Sequence, residues 1–337
     1  MPFTGDILKY RSLAIIGMEK NTGKTECLNY VISGLKARET RLAITSIGID
    51  GESTDQVTRT SKPEITLYKG MLFVTAEKHF RTKRLTAEIL DISRRSTSLG
   101  RLVTARVIEE GKALIAGPSD TAWLKEIIEN LPQYGADLTI VDGALSRKSL
   151  GSPTVTDAII LSTGAALSAN LRTLAFQTKY TYDLISLPET STLLQSKLAD
   201  LDNGVWAISK DNEIIDLGIT SLLNIEHSGK NLLSHGSRLF VPGAITDKML
   251  NFLKIQKQIE ETEIIIKDFT RVFASPESYY SYISRGGKFS VLKNTKLLAI
   301  TVNPVSPSGF ILNSEETIRT IQEVVTVPVY DLRQINN

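Results

Sequence analysis

The chain has 337 residues, 42% of them hydrophobic and 23% charged, with a formal net charge of +2. This is the make-up of one large or two medium globular domains, and the near-balanced charge argues against a general attraction to nucleic acid or a membrane surface. A single cysteine, Cys27, excludes an intrachain disulfide framework and a Cys-type zinc cluster. The histidines, His79, His227 and His235, are scattered and read as surface or loop residues rather than a metal site. The opening MPFTGDILKYRS lacks the charged start and apolar core of a signal peptide, and no apolar run reaches the ~18 residues of a membrane span. With a free thiol, the expected compartment is the cytoplasm.

In chain order, Leu13 to Ile16 reads as a buried strand and Lys24 to Lys36 as a helix, with Leu28, Val31, Ile32 and Leu35 on one stripe. Leu42 to Ile47 and Met71 to Thr75 read as strands. The stretch Lys78 to Ile92 reads as a helix whose Lys78, Arg81, Lys83 and Arg84 form a solvated face. Ala113 to Ala116 is expected as a short strand, Ala122 to Leu131 as a helix stopped by Pro132, and Leu138 to Val141 and Ala158 to Leu161 as strands. Leu171 to Leu187 is expected to be helical. Val205 to Ile208 and Ile214 to Leu217 pair as a hairpin. Further on, strands are expected at Leu239 to Val241, Glu263 to Phe269, Leu297 to Val302 and Val327 to Tyr330. Helices fall at Thr246 to Leu253, Pro276 to Ile283 and Ser314 to Val324. Tyr279, Tyr280 and Tyr282 read as packing residues rather than a stacking platform.

Alternating strands and helices imply an α/β fold: a mostly parallel sheet with helices on both faces. The expected division is a nucleotide-binding domain over 1–165, a helical and hairpin connection over 166–236, and a C-terminal α/β portion over 237–337. Whether that last portion continues the first sheet is left open. In such sheets ligands bind beyond the carboxyl ends of the strands.

The segment GMEKNTGKT, Gly17 to Thr25, follows a buried strand and opens an amphipathic helix. That is the setting of a phosphate-binding loop, and it points to ATP and Mg2+ as ligands. Gly17, Glu19, Lys20, Asn21, Thr22, Gly23, Lys24 and Thr25 would wrap the polyphosphate, with backbone N–H groups and the helix N-terminus supplying positive potential. Lys24 would reach the β- and γ-phosphates, and Thr25 would give its hydroxyl to magnesium. Lys20 either neutralises charge developing during phosphoryl chemistry or is simply solvated. Asp142 ends the strand LTIVD, where the acidic partner of a phosphate loop belongs, and would hold magnesium directly or through water. Five residues separate Gly17 from Gly23 instead of the usual spacing, and Met18 stands where a glycine is expected. Cys27, in the first helix, reads as a small buried hydrophobe.

With this spacing, GMEKNTGKT resembles the loop of the dethiobiotin synthetase branch of P-loop proteins. In that branch an acidic residue after the second strand contacts magnesium or activates the attacking group. The resemblance implies that role for Asp50, with Glu52 and Asp55 as competitors in the same loop, while Asp50-Gly51 equally reads as a plain turn. An asparagine after a late strand can read the nucleotide base there, which would fall to Asn303. Pro304 and Pro307 favour instead a stiff connecting loop at that place.

Read together, LAIIGMEKNTGKT, TSIGIDGE, AGPSDT, IVDGALSRKS and TDAIILSTGAALS resemble the P-loop reactivase subunit that accompanies lysine 5,6-aminomutase and ornithine aminomutase, enzymes that use adenosylcobalamin and pyridoxal phosphate. The resemblance implies an accessory ATPase that works with an actin-like ATPase subunit to replace damaged cobalamin in the mutase. Ser146, Arg147 and Lys148 would then sense phosphate or partner, or remain an exposed polar loop. A ligase or kinase acting on a small carboxylate or amine, and a nucleotide-binding assembly module without hydrolysis, stay open as alternatives.

Overall fold

The computed structural model describes residues 3–47, 64–118, 120–144, 155–219, 232–256 and 259–335. Along the chain run α1 (Thr4–Ile7), β1 (Ser12–Gly17), α2 (Lys24–Lys36), β2 (Leu42–Ser46), β3 (Ile65–Leu67), β4 (Leu72–Ala76), α3 (Glu77–Thr82), β5 (Arg84–Thr97), β6 (Gly100–Ala113), α4 (Thr121–Asn130), β7 (Leu138–Ala144), β8 (Ala158–Gly164) and α5 (Leu171–Ile185). They are followed by α6 (Thr192–Leu198), β9 (Trp206–Ile208), β10 (Ile214–Asp216), β11 (Arg238–Phe240), α7 (Asp247–Leu253), β12 (Glu263–Ile266), α8 (Pro276–Ser284), β13 (Lys288–Val291), β14 (Lys296–Asn303), α9 (Ser314–Gln322), β15 (Val329–Tyr330) and α10 (Leu332–Ile335). No helix among the described residues is long and apolar enough to cross a membrane.

Two compact units divide the chain: Met1–Thr178 with Lys296–Asn337, and Lys179–Thr295. The first holds a mixed, mostly parallel sheet in the order β15-β14-β8-β1-β7-β2-β4-β6-β3, with β5 paired to β6. From β15 to β4 every pairing is parallel; β6 runs antiparallel to β3, β4 and β5. Every residue of β1, SLAIIG, is buried, as a strand flanked on both sides and covered on both faces requires. Alternate residues feed two separate cores. Leu42 and Ile44 pack with Leu28, Val31, Ile32 and Leu35 of α2, whereas Ala43 packs with Trp123 of α4. The helices α2 and α4 therefore lie on opposite faces. Burying each of those α2 side chains contributes about 1.5–3 kcal/mol, enough to fix the helix that carries the loop residues.

The second unit is built on the order β10-β9-β11-β12-β13. Its β9–β10 hairpin matches the expected one, and β11, β12 and β13 are parallel. Tyr279 and Tyr282 are buried in it against Phe289. The stretch from residue 237 onward thus divides: β11 to β13 belong to this second sheet, while β14 and β15 return to the first.

Three expectations are corrected. The helix expected over 78–92 is only α3; from Arg84 the chain is the long strand β5, hairpinned with β6. Leu85, Ile89 and Ile92 have helical spacing, but register shifts in β5, one of them between Ile89 and Asp91, bring Ile89 and Ile92 onto one sheet face instead. Of the strand expected over 113–116 only Ala113 is strand, the last residue of β6; beyond it Thr75 Oγ1 donates to the Leu114 carbonyl at 2.9 Å and accepts from the Ala116 amide at 3.1 Å. His79, expected on a surface or loop, is buried in α3.

Candidate functional site

The carboxyl ends of β1, β7, β8 and β14 lie side by side in the sheet. Ile15 is in register with Asp142, Gly17 with Ser162, and Gly164 with Asn303. The segment Gly17 to Thr25 leaves this edge from its middle. Gly17 closes β1 where no side chain fits: a Cβ there would come 2.8 Å from Thr22 Oγ1 and 3.2 Å from the Glu19 carbonyl. The Met18 amide donates to the Ser162 carbonyl at 2.9 Å, and the buried Thr22 donates its hydroxyl to the Glu19 carbonyl at 2.8 Å. Asn21 and Gly23 are left-handed, with φ of 62° and 85°. Gly23 is the N-cap of α2 and offers the first-turn amides no side chain, so they keep the donor capacity that suits an anion.

The Lys24 ammonium sits 2.9 Å from Asp142 Oδ1 at the end of β7. Both side chains are mostly buried, at 26% and 17% exposure. Asp142 Oδ1 is buried and receives no directed hydrogen bond from the described residues, so its contact with Lys24 is coulombic. The Asp142 carbonyl accepts from the Ser46 hydroxyl at 3.0 Å, fixing β7 against β2. A buried carboxylate oxygen without a directed hydrogen bond fits a cation ligand, and Thr25, partly buried at the start of α2, carries the hydroxyl expected beside it. Among the described residues no group of three or more His, Cys, Asp or Glu could hold a metal by itself. A metal here would rely on oxygens from a ligand as well.

The structure brings together Gly17, Thr22, Gly23, Lys24, Thr25, Asp142 and Asn303. Glu19, Lys20 and Asn21 are exposed on the loop, and Glu19 Oε1 accepts from the Lys20 amide at 2.9 Å, occupying a donor the sequence assigned to phosphate. Asn303 is 8% exposed; its Nδ2 donates to the Asn21 carbonyl at 2.9 Å and its Oδ1 accepts from the Val305 amide at 3.2 Å. Asp50, Glu52, Asp55, Ser146, Arg147 and Lys148 lie outside the described residues.

Sequence reasoning missed the support beneath the loop. Ser162 and Thr301, beside the Cys27 thiol, share a buried hydroxyl hydrogen bond of 2.8 Å. Burial pushes that thiol up to about 12, against the lowering effect of the two hydroxyls, so Cys27 is an inert packing residue. Glu26, one residue beyond Thr25, is held by Arg333 through Nε at 3.3 Å and an Nη at 2.6 Å. A polar residue in an apolar strand, as in AIILSTG, is the signal that could have pointed to Ser162. Nothing local in the sequence joins Glu26 to Arg333.

Compared with known proteins, no family model matches the chain, and neither does any curated protein or solved structure. What the site can do therefore rests on its own geometry: a glycine-bounded loop at a helix N-terminus, one ammonium, and one carboxylate facing it.

Proposed function

We propose that the chain is a P-loop protein that binds ATP with Mg2+, and that it serves as the accessory ATPase of a cobalamin- and pyridoxal phosphate-dependent aminomutase. The observation that carries the first part is the Lys24–Asp142 contact at the mouth of the Gly17–Thr25 loop. An ammonium on the loop's helix and a carboxylate on the neighbouring strand are the pair that phosphate and metal would separate. In this reading the loop amides bind the phosphate chain and Lys24 turns from Asp142 to the phosphate oxygens. Thr25 and Asp142 are the residues that would hold magnesium, which when bound supplies positive charge to those oxygens. The Asp142 carboxylate would then be balanced by the metal instead of by Lys24.

The second part rests on the sequence stretches given above, from LAIIGMEKNTGKT to TDAIILSTGAALS. A nucleotide that reorders loops at a strand edge changes affinity for a partner, which is the physical basis of an ATP-driven reactivase. The test is phosphate release by the purified chain, with and without an aminomutase inactivated by damaged cobalamin. Release that the inactive mutase stimulates, together with recovered mutase activity, supports the reading. Release indifferent to the mutase removes the reactivase role.

A further inference from the structure

Asn303 lies 282 positions along the chain from the carbonyl it holds, yet it contacts both left-handed residues of the phosphate loop. Its Nδ2 donates to the carbonyl of Asn21, and a Cβ added to Gly23 would come 2.9 Å from its own Cβ. The asparagine is itself immobilised. Its backbone carbonyl accepts from the Ala165 amide at 2.9 Å, and Gly164 packs so closely that an added Cβ would stand 2.0 Å from that oxygen. Its Oδ1 is engaged by the Val305 amide. Both ends of the side-chain amide therefore have partners in the protein, and little of the residue is exposed.

The bend it touches is conformationally costly. A non-glycine residue in the left-handed region is uncommon, and asparagine is among the few that tolerate it. Gly23, left-handed and followed by helical Lys24, forms the kind of backbone concavity that gathers N–H groups toward an anion. A donor clamped to the Asn21 carbonyl and a wall against Gly23 hold that concavity in shape before any ligand arrives.

We propose that Asn303 is a positioning residue that presets the phosphate loop, and that its amide does not read the nucleotide base. The proposal rests on the phosphate-loop reading above and adds which part of the ligand Asn303 serves. It acts on the phosphate chain alone, so its loss should be felt equally by every ligand that carries one.

The experiment measures binding of ATP, GTP and inorganic tripolyphosphate, each with magnesium, to the full chain. Wild type is compared with Asn303→Ala and with Asn303→Asp, which keeps the shape and the Val305 contact but cannot donate to Asn21. Both variants should weaken all three ligands by the same factor, about tenfold, as expected for one positioning hydrogen bond. A variant that weakens ATP while leaving tripolyphosphate unchanged would overturn the proposal in favour of base readout. Unchanged binding of all three would overturn it outright. Should both variants unfold, the Asn303 side-chain amide resonance in wild type decides. Perturbation by tripolyphosphate alone supports the positioning role, and perturbation by ATP only refutes it. If wild type binds none of the three ligands, the phosphate-loop reading itself fails and this inference with it.

Discussion

Two regions of the molecule place aspartates at or just beyond the ends of parallel strands, and they use them differently. In the second sheet, Asp268 follows β12 and is buried; its Oδ1 accepts from the Thr270 amide at 2.9 Å and from the Thr270 hydroxyl. Asp247, at the start of α7 after β11, accepts from the Ser275 amide at 2.8 Å and hydroxyl at 2.7 Å. Those carboxylates are spent on turns and helix ends. At the end of β7, Asp142 has a buried oxygen that accepts no directed hydrogen bond from the described residues and has an ammonium beside it. The same residue type in a similar topological place is structural in one sheet and a site candidate in the other. The difference lies in whether neighbouring N–H and O–H groups have already consumed its lone pairs.

The strongest way to break the comparison is Lys24→Ala. Removing the ammonium takes away the group that would bridge the phosphates, and ATP affinity should fall about 100-fold or more in titration calorimetry. The circular dichroism spectrum should be unchanged, because α2 is held by its buried apolar stripe rather than by Lys24. An affinity within twofold of wild type would remove Lys24 from the site.

A subtler effect is expected from Asp142→Asn, and its sign depends on the metal. In EDTA the substitution removes a negative charge facing the phosphates and frees Lys24, so ATP should bind more tightly, by about three- to tenfold. With magnesium the metal loses a ligand, and ATP should bind more weakly than to wild type. Weaker binding in both conditions would mean that Asp142 acts through the fold, as Asp247 and Asp268 do. Stronger binding in both would mean that it holds no metal.

Part of this was legible in the sequence because it is local. The run SLAIIG, the loop GMEKNTGKT and the stripe of α2 lie consecutively, and LTIVD carries its acid at the strand's end. Strand periodicity and motif spacing suffice for such pieces. The hairpin of β5 and β6 was not legible, since a bulge in β5 lets Ile89 and Ile92 share a sheet face at a spacing that otherwise reads as a helix face. Nor were the contacts of Asn303. That it ends a strand could be read from VNPVSPSG, but its bond to the Asn21 carbonyl depends on β14 lying beside β8, a pairing set by tertiary structure. The Glu26–Arg333 ion pair is hidden for the same reason.

The smallest effect comes from the other side of the comparison. Hydrogen bonds from the Ser278 hydroxyl first, and then from the Ser275 amide and hydroxyl, hold the Asp247 carboxyl below the usual carboxylate range, against a smaller opposing effect of burial. A carboxylate whose folded value is depressed adds stability above its unfolded value of about 3.9 and loses it as pH falls through the folded value. Asp247→Asn should therefore lower the melting temperature near pH 7 by about 2–4 °C, the shift that corresponds to about 1 kcal/mol in a domain of moderate size. The gap between variant and wild type should narrow as the pH is taken below about 4, where the carboxylate of the unfolded chain takes up its proton, and close once the folded carboxylate protonates at its lower value. Magnesium and ATP should leave that gap unchanged, since this aspartate has its donors within the protein. A gap that ligand widens or closes would show that Asp247 belongs with Asp142 after all, and that spent lone pairs are not what separates the two.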